Sequence, residues 1–279
     1  MEISDTIGVI AGGGQFPRLF IEAARDSGKR PVVVGFKGET DKELVDSADD
    51  FCWVKLGQLG KVISFFKKNG VAEAVFLGTI TKTRMFRDVF FDFKGLTLWR
   101  KIDKRHDDAI LRAIADVLED DGITVVESTR YLSKLLFPSG VLTQKKPTGK
   151  QKEDIIFGWR MAKEIGRLDI GQCVVVRDRT VLAVESIEGT DATILRGGSL
   201  GKEKVVVVKV HKPGQDFRFD LPATGLETIE SMKKAGAAVL AVEAGKSLIF
   251  DSMELIREAD EYGIVVVGVT EEEDGTLRF

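Results

Sequence analysis

Histidine is almost missing from this 279-residue chain, which holds only His106 and His211. A three-His zinc site, an H-E-x-x-H protease helix and a His-rich two-metal phosphoesterase centre cannot be assembled within it. Cysteine is as scarce: Cys52 and Cys173 stand far apart with no C-x-x-C. That excludes a disulfide framework and a cysteine-based zinc site, and it suits a reducing cytosol. A basic excess is lacking too, since 41 Lys plus Arg face 44 Asp plus Glu for a formal charge of −3. Nucleic acid is therefore not an expected partner. No apolar run approaches the roughly 18 residues of a spanning helix. Glu2 and Asp5 stand where a signal peptide carries positive charge. The expected location is cytoplasmic, peripheral at most on the inner face of the cytoplasmic membrane. Any bound metal must be held mostly by oxygen.

What is present is ordinary globular material, 43% hydrophobic and 30% charged, at a length that suits two modest domains. TIGVIA (6–11), RPVVVGF (30–36), AVFLG (74–78) and ITVVE (123–127) read as buried strands. Between them, 16–27, 58–69 and 107–121 carry helical spacing, with Ile110, Ile114, Val117 and Leu118 on one face of the last. Strands and helices in alternation predict a parallel sheet with crossover helices, hence a Rossmann-like N-terminal domain over 1–138. The Pro-, Gly- and Lys-rich stretch around 139–152 reads as a linker, and 153–279 as a mixed α/β C-terminal domain. In that domain 173–186 reads as a hairpin turning at Asp178-Arg179, and 204–210 as a further strand. Helices are expected near 226–235 and 252–262, with three strands around the latter.

Gly12-Gly13-Gly14 follows the first strand and precedes a helix whose first turn holds Pro17. Such a turn lets backbone approach an anion and aims helix N–H groups at it. A tight turn without a ligand would look the same. A nicotinamide dinucleotide is disfavoured, because Pro17 takes the third glycine's place and no acid ends the second strand. Gly197-Gly198-Ser199-Leu200-Gly201 fits G-x-S-x-G, but what precedes it looks helical, so it reads as a loop and not a nucleophile elbow. Ala244-Gly245-Lys246-Ser247 reads as a turn between strands. Thr190 and Asp191 could cap a helix, or hold phosphate and a cation or sugar hydroxyl. Asp220, between apolar neighbours, is either a turn former or a catalytic acid, and Lys209, His211, Lys212 and Arg218 could reach phosphate. Lys145 and Lys146 are a solvated pair or a diphosphate clamp. The aromatic stretch 85–99 is core or, if exposed beside its basic residues, a bilayer or acyl-chain contact.

At I-A-G-G-G-Q-F-P, E-I-G-R-L-D-I-G-Q (164–172), V-L-A-V-E-S-I-E-G-T-D (181–191), D-F-R-F-D-L-P (216–222) and V-L-A-V-E-A-G-K (239–246), the chain resembles the LpxI-type UDP-2,3-diacylglucosamine pyrophosphatases. The resemblance implies hydrolysis of that diphosphate to UMP and 2,3-diacylglucosamine 1-phosphate with Mg²⁺, in lipid A synthesis, by two domains enclosing the substrate. It marks Asp220 as the essential acid and a Mg²⁺ ligand, and Asp191 as a second catalytic residue. Gly12, Gly13, Gly14, Gly78, Thr79, Lys145, Lys146, Thr190, Asp191 and Leu221 are its expected substrate contacts. The L-G-T-I-T loop at Gly78 and Thr79 departs from the A-G-N of some members. The implied partners are a UDP-sugar lipid and the cytosolic membrane surface, with a homodimer left open. A binding module without turnover, or a pyrophosphatase for another UDP-sugar, remains the alternative.

Overall fold

The computed structural model describes residues 5–80, 90–101, 107–219 and 221–279. The chain divides into two compact units, Met1–Ser133 with Asp216–Asp220 and Lys134–Gln215 with Leu221–Phe279. Both are α/β, the first built on a parallel sheet and the second on a mixed one, as expected.

In the first unit β1 (Thr6–Ala11), β2 (Arg30–Phe36), β3 (Asp50–Val54), β4 (Glu73–Leu77) and β5 (Thr124–Val125) form one sheet in the order β3-β2-β1-β4-β5. Its pairings are all parallel. Val32, Val34, Ile10, Phe66, Ala115 and Leu118 are buried together, so β-branched runs covered by helices supply the core. The helices include Phe16–Asp26, Leu59–Lys68, Phe93–Lys101 and Asp107–Asp120. Strand β3 was not anticipated: Asp50, Phe51, Cys52 and Trp53 are only half-buried, because β3 is an edge strand paired solely with β2. The order reverses at β1, whose neighbours are β2 on one side and β4 on the other. This is the switch point at which open α/β sheets bind ligands, beyond the carboxyl ends of the strands.

The second unit holds the order β14 (Leu277–Arg278), β13 (Val265–Glu271), β11 (Ala237–Glu243), β9 (Val205–Lys209), β7 (Cys173–Arg177), β8 (Thr180–Val184), with β6 (Gly140–Val141) also on β13. Strands β9, β11 and β13 are parallel, and β7 runs against both β9 and β8. Hence β8, β9, β11 and β13 all end at one side of the sheet. A short pair, β10 (Ala223–Thr224) with β12 (Leu248–Ile249), stands apart. The β7–β8 hairpin turns at Asp178 and Arg179, both with positive φ (48° and 56°), the backbone that two-residue hairpin loops require. Asp154 stabilises this turn by accepting from both their N–H groups, at 3.1 and 2.6 Å. Residues 139–152, the expected linker, lie in the second unit: Gly140–Val141 pair with β13, and Thr148 and Gln151 form a capping box that opens the helix Gly149–Arg167.

Two local readings are corrected. The G-x-S-x-G string is no loop, for the helix Thr190–Gly201 runs through it. Added Cβ atoms at Gly197 and Gly198 would meet Val175 and Ala235, so these glycines allow close helix packing. Thr190 and Asp191 do not cap that helix: its N-cap is Gly189, at φ 85°, with no side-chain cap. Among the described residues no helix is long and apolar enough to cross a membrane.

Candidate functional site

The carboxyl ends of β1 and β4 are tied to each other. Gly12 N–H donates to Leu77 O (2.7 Å), Gly13 N–H to Thr79 O (2.8 Å) and Thr79 N–H to Gly13 O (3.1 Å). A side chain at Gly12 would collide with the Thr79 carbonyl, and one at Gly78 with the Gly13 carbonyl. Gly78 also sits at φ 80°. Glycine at these two positions is thus demanded by backbone approach, whatever else the loop does. Thr40, buried, locks the turn from the other side by donating to Ala11 O (2.5 Å) and accepting from Phe36 N–H (2.8 Å). The amides of Gly12 and Gly13 are consumed by this ladder, so an anion here would face the backbone from Gly14 onward. Gly14 is exposed at φ 89° with nothing within 4 Å of an added Cβ. The helix Phe16–Asp26 has no side-chain cap, no acid in its first turn and Pro at its start. Its positive end is suited to phosphate. Gly78 and Thr79 are both exposed beside it.

A distant stretch of sequence joins the same unit. Arg218 grips Asp216 through Nε and an Nη (3.1 and 2.8 Å) and donates to Glu119 (2.9 Å), while Arg112 approaches Asp216 at 3.4 Å. Phe219 packs edge-on against Phe76 of β4, with centroids 5.5 Å apart. The hydrogen bonds from Arg218 hold the Asp216 carboxyl below the usual carboxylate range, and Asp216 in turn raises Arg218. Residues 216–219 are therefore pinned to the helix Asp107–Asp120 and to β4, the strand that leads into Gly78 and Thr79. Asp220 lies outside the described residues. Leu221, which follows, is buried in the second unit.

In the second unit the strand carboxyl ends gather a second set of polar groups. Glu185, just after β8, is buried; its carboxylate accepts from Gln172 N–H (3.1 Å) and from the Thr190 hydroxyl (2.7 Å). Thr190 is thereby oriented at the N-terminus of the helix Thr190–Gly201. Asp191 sits in that helix's first turn, and its Oδ1 is buried with no hydrogen-bond partner. Glu243, at the end of β11 and 2% exposed, accepts from His211 N–H (2.9 Å) and Lys163 (2.5 Å), with Lys246 at 3.1 Å. Burial pushes the Cys173 thiol up, Glu185 adds to this, Lys209 opposes it and Asp191 raises it further. That thiol is an inert core group and no nucleophile. Glu185 and Glu243 escaped the sequence reading; the signal was the string V-L-A-V-E, present at both 181–185 and 239–243.

Thr190 and Asp191 thus stand together at the carboxyl end of the second sheet, and Gly12, Gly13, Gly14, Gly78 and Thr79 together at that of the first. Lys145 and Lys146 are exposed elsewhere. Gln144 N–H donates to Asp260 (2.8 Å) and the Lys145 ammonium lies against Gly263, the C-cap of the helix Ser252–Tyr262. That places Lys145 where β13 begins, at the opposite end of the sheet from Thr190, in a position where a cation meets the negative helix end. Among the described residues no three His, Cys, Asp or Glu cluster as a metal site. Mg²⁺ does not need such a cage, since it binds through one or two carboxylates plus phosphates and waters.

The comparisons with known proteins decide the family. The LpxI N-terminal domain profile matches residues 6–135, and the LpxI C-terminal domain profile matches 138–267. The chain belongs to the LpxI family. It is 32% identical over 280 residues to the UDP-2,3-diacylglucosamine pyrophosphatase LpxI of Caulobacter vibrioides, across 96% of this chain and 98% of that one. Solved structures with local likeness include N5-carboxyaminoimidazole synthetase from Staphylococcus aureus complexed with ADP, at 16% identity and TM-score 0.26 over 63% of this chain and 38% of that one. Another is gox2253, at 12% identity and TM-score 0.33 over 95% and 78%. At such scores neither carries weight in the assignment.

Proposed function

We propose that this LpxI-family chain hydrolyses the diphosphate of UDP-2,3-diacylglucosamine to UMP and 2,3-diacylglucosamine 1-phosphate, a step of lipid A synthesis. The observation that carries the reading is identity to the Caulobacter pyrophosphatase over nearly the whole length of both chains. The polar inventory supports it. With two His and a buried, proton-holding Cys173, carboxylates, lysines and helix N-termini are what the chain offers, and these suffice to neutralise a diphosphate and position water. Mg²⁺ fits this oxygen-only donor set. Asp220, the acid that the family resemblance marks, would hold it, and when bound it would supply charge neutralisation at the phosphate oxygens. The chain's own part is to hold the α-phosphate, for which the N-terminus of the helix Thr190–Gly201 offers its amides and the Thr190 hydroxyl, kept in place by Glu185. Water then attacks the α-phosphorus, the bond from that phosphorus to the bridging oxygen breaks, 2,3-diacylglucosamine 1-phosphate departs with the bridging oxygen, and UMP keeps the oxygen of the water. The test is UMP release from UDP-2,3-diacylglucosamine against UDP-N-acetylglucosamine. Preference for the acylated substrate is expected, and equal rates would reassign the substrate.

The cytosolic membrane surface is the second partner proposed. Residues 85–89 of the aromatic stretch lie outside the described residues, but Phe90, Phe91, Phe93 and Leu96 are exposed, Phe93 to 87%. The Lys55 ammonium lies 3.7 Å from the Phe90 ring centroid. Exposed rings beside a cation match an anionic bilayer. Phe93→Ser should reduce sedimentation with phosphatidylglycerol vesicles by about threefold or more, since burying one Phe contributes roughly 1.5–3 kcal/mol when complete. Unchanged sedimentation would remove this surface from the proposal.

A further inference from the structure

We infer that Lys209 is the buried cation that binds a phosphate oxygen of the substrate. The inference rests on the pyrophosphatase reading above and adds a ligand-binding group to it. Strand β9 reads Val205-Val206-Val207-Val208-Lys209, and all five residues are buried, the lysine to 4% exposure. Its neighbours in register are Cys173 on β7 and Val242 on β11. An ammonium in such a place loses its water and must regain donors' partners or a counter-charge from the protein. Lys209 regains little: its Nζ donates to Ala223 O at 2.6 Å, and among the described residues no carboxylate lies within 4.0 Å of it. Three N–H donors meet one acceptor among the described residues.

Its surroundings match this deficit. Lys209 closes β9 at the same side of the sheet where β8 leads into Glu185, Thr190 and Asp191, and the charges of Lys209, Glu185 and Asp191 all act on the Cys173 thiol. Glu185 is not the missing counter-ion, because its oxygens already accept from Gln172 N–H and Thr190. Asp191 is not in ion-pair range, and its own Oδ1 is buried and unsatisfied. One incompletely paired cation and one incompletely paired carboxylate oxygen thus share a neighbourhood without satisfying each other. A phosphate group answers both, presenting an anionic oxygen to the ammonium and a metal ion or hydroxyl to the carboxylate. The helix N-terminus at Thr190 favours the same charge.

The experiment is calorimetric titration of the full chain with UDP and with uridine. Wild type should bind UDP more tightly than uridine. In Lys209→Met the affinity for UDP should fall at least about tenfold, that for uridine should stay, and the thermal midpoint should remain at or above the wild-type value, since removing an uncompensated buried charge does not destabilise. Unchanged UDP affinity, or a lowered midpoint with the preference for UDP intact, would overturn the inference and make Lys209 a structural cation. Should Lys209→Met not fold, lysine ammonium NMR of the wild type decides, with the resonance identified by its loss in Lys209→Arg. It should move with UDP and not with uridine, and a resonance that ignores UDP contradicts the proposal. Hydrolysis of UDP-2,3-diacylglucosamine by the wild type, measured alongside, separates failure of this inference from failure of the pyrophosphatase reading.

Discussion

Asp220→Ala should abolish turnover, lowering UMP release by at least about a thousandfold, while substrate binding survives. The reasoning is that a diphosphate binds through many contacts spread over helix ends and lysines, whereas charge build-up at phosphorus is met by few groups, and removing one of those typically costs 10²–10³ or more in kcat. Loss in kcat with KM held would mark an interaction made in the transition state. Asp220→Asn should be nearly as damaging, since it keeps the shape and removes the charge. The neighbouring Asp216 provides the control. Its carboxylate is occupied by Arg218 and Arg112, so it anchors residues 216–219 and has no oxygen to lend to chemistry. Full activity in Asp220→Ala would take that residue out of the mechanism.

Gly78→Ala is expected to have the largest effect on stability. The new Cβ would be driven against the Gly13 carbonyl, with the Gly12 backbone and Pro17 ring both at 3.1 Å, and the residue would be held at φ 80°. A left-handed conformation costs about 1–2 kcal/mol and overpacking about 1–3. The sum, about 2–5 kcal/mol, corresponds to a midpoint drop of roughly 6–20 °C for a unit of this size. Activity should fall with it, because the β1 and β4 loops would no longer close on each other. Gly14→Ala isolates the conformational part, for Gly14 has positive φ but open space around it. It should lose only about 1–2 kcal/mol. Equal losses in the two variants, followed by thermal unfolding, would show that the strand-end bridge is not what requires glycine at position 78.

How much of this was legible in the sequence depended on whether the cause was local. Runs such as RPVVVGF and KVVVVKV are buried on both faces, and their β-branched density announced the strands directly. The Asp178-Arg179 turn was readable because two polar residues between apolar runs suit a left-handed pair. Strand β3 was not, since D-F-C-W-V sits half-exposed at a sheet edge and shows neither clean alternation nor a buried run. The helix Phe93–Lys101 hid behind outward-facing apolar side chains, Phe93 and Leu96 among them, with Leu98 packed against the core. Site residues divided in the same way. The triple glycine and Gly78 could be placed at strand ends from the pattern. The attachment of residues 216–219 to Phe76, Arg112 and Glu119 could not, because those partners lie a hundred or so positions earlier. Likewise Thr190 was readable as a helix start but not as a donor to Glu185, a contact that exists only once β8 and the following helix are folded together.

Hydrolysis of UDP-2,3-diacylglucosamine in ¹⁸O-water, with both products analysed by mass spectrometry, tests the central claim most directly. Label carried by UMP alone is the result expected if water attacks the α-phosphorus. Label confined to the sugar-lipid phosphate, or no cleavage of this diphosphate by the wild-type chain, would contradict it.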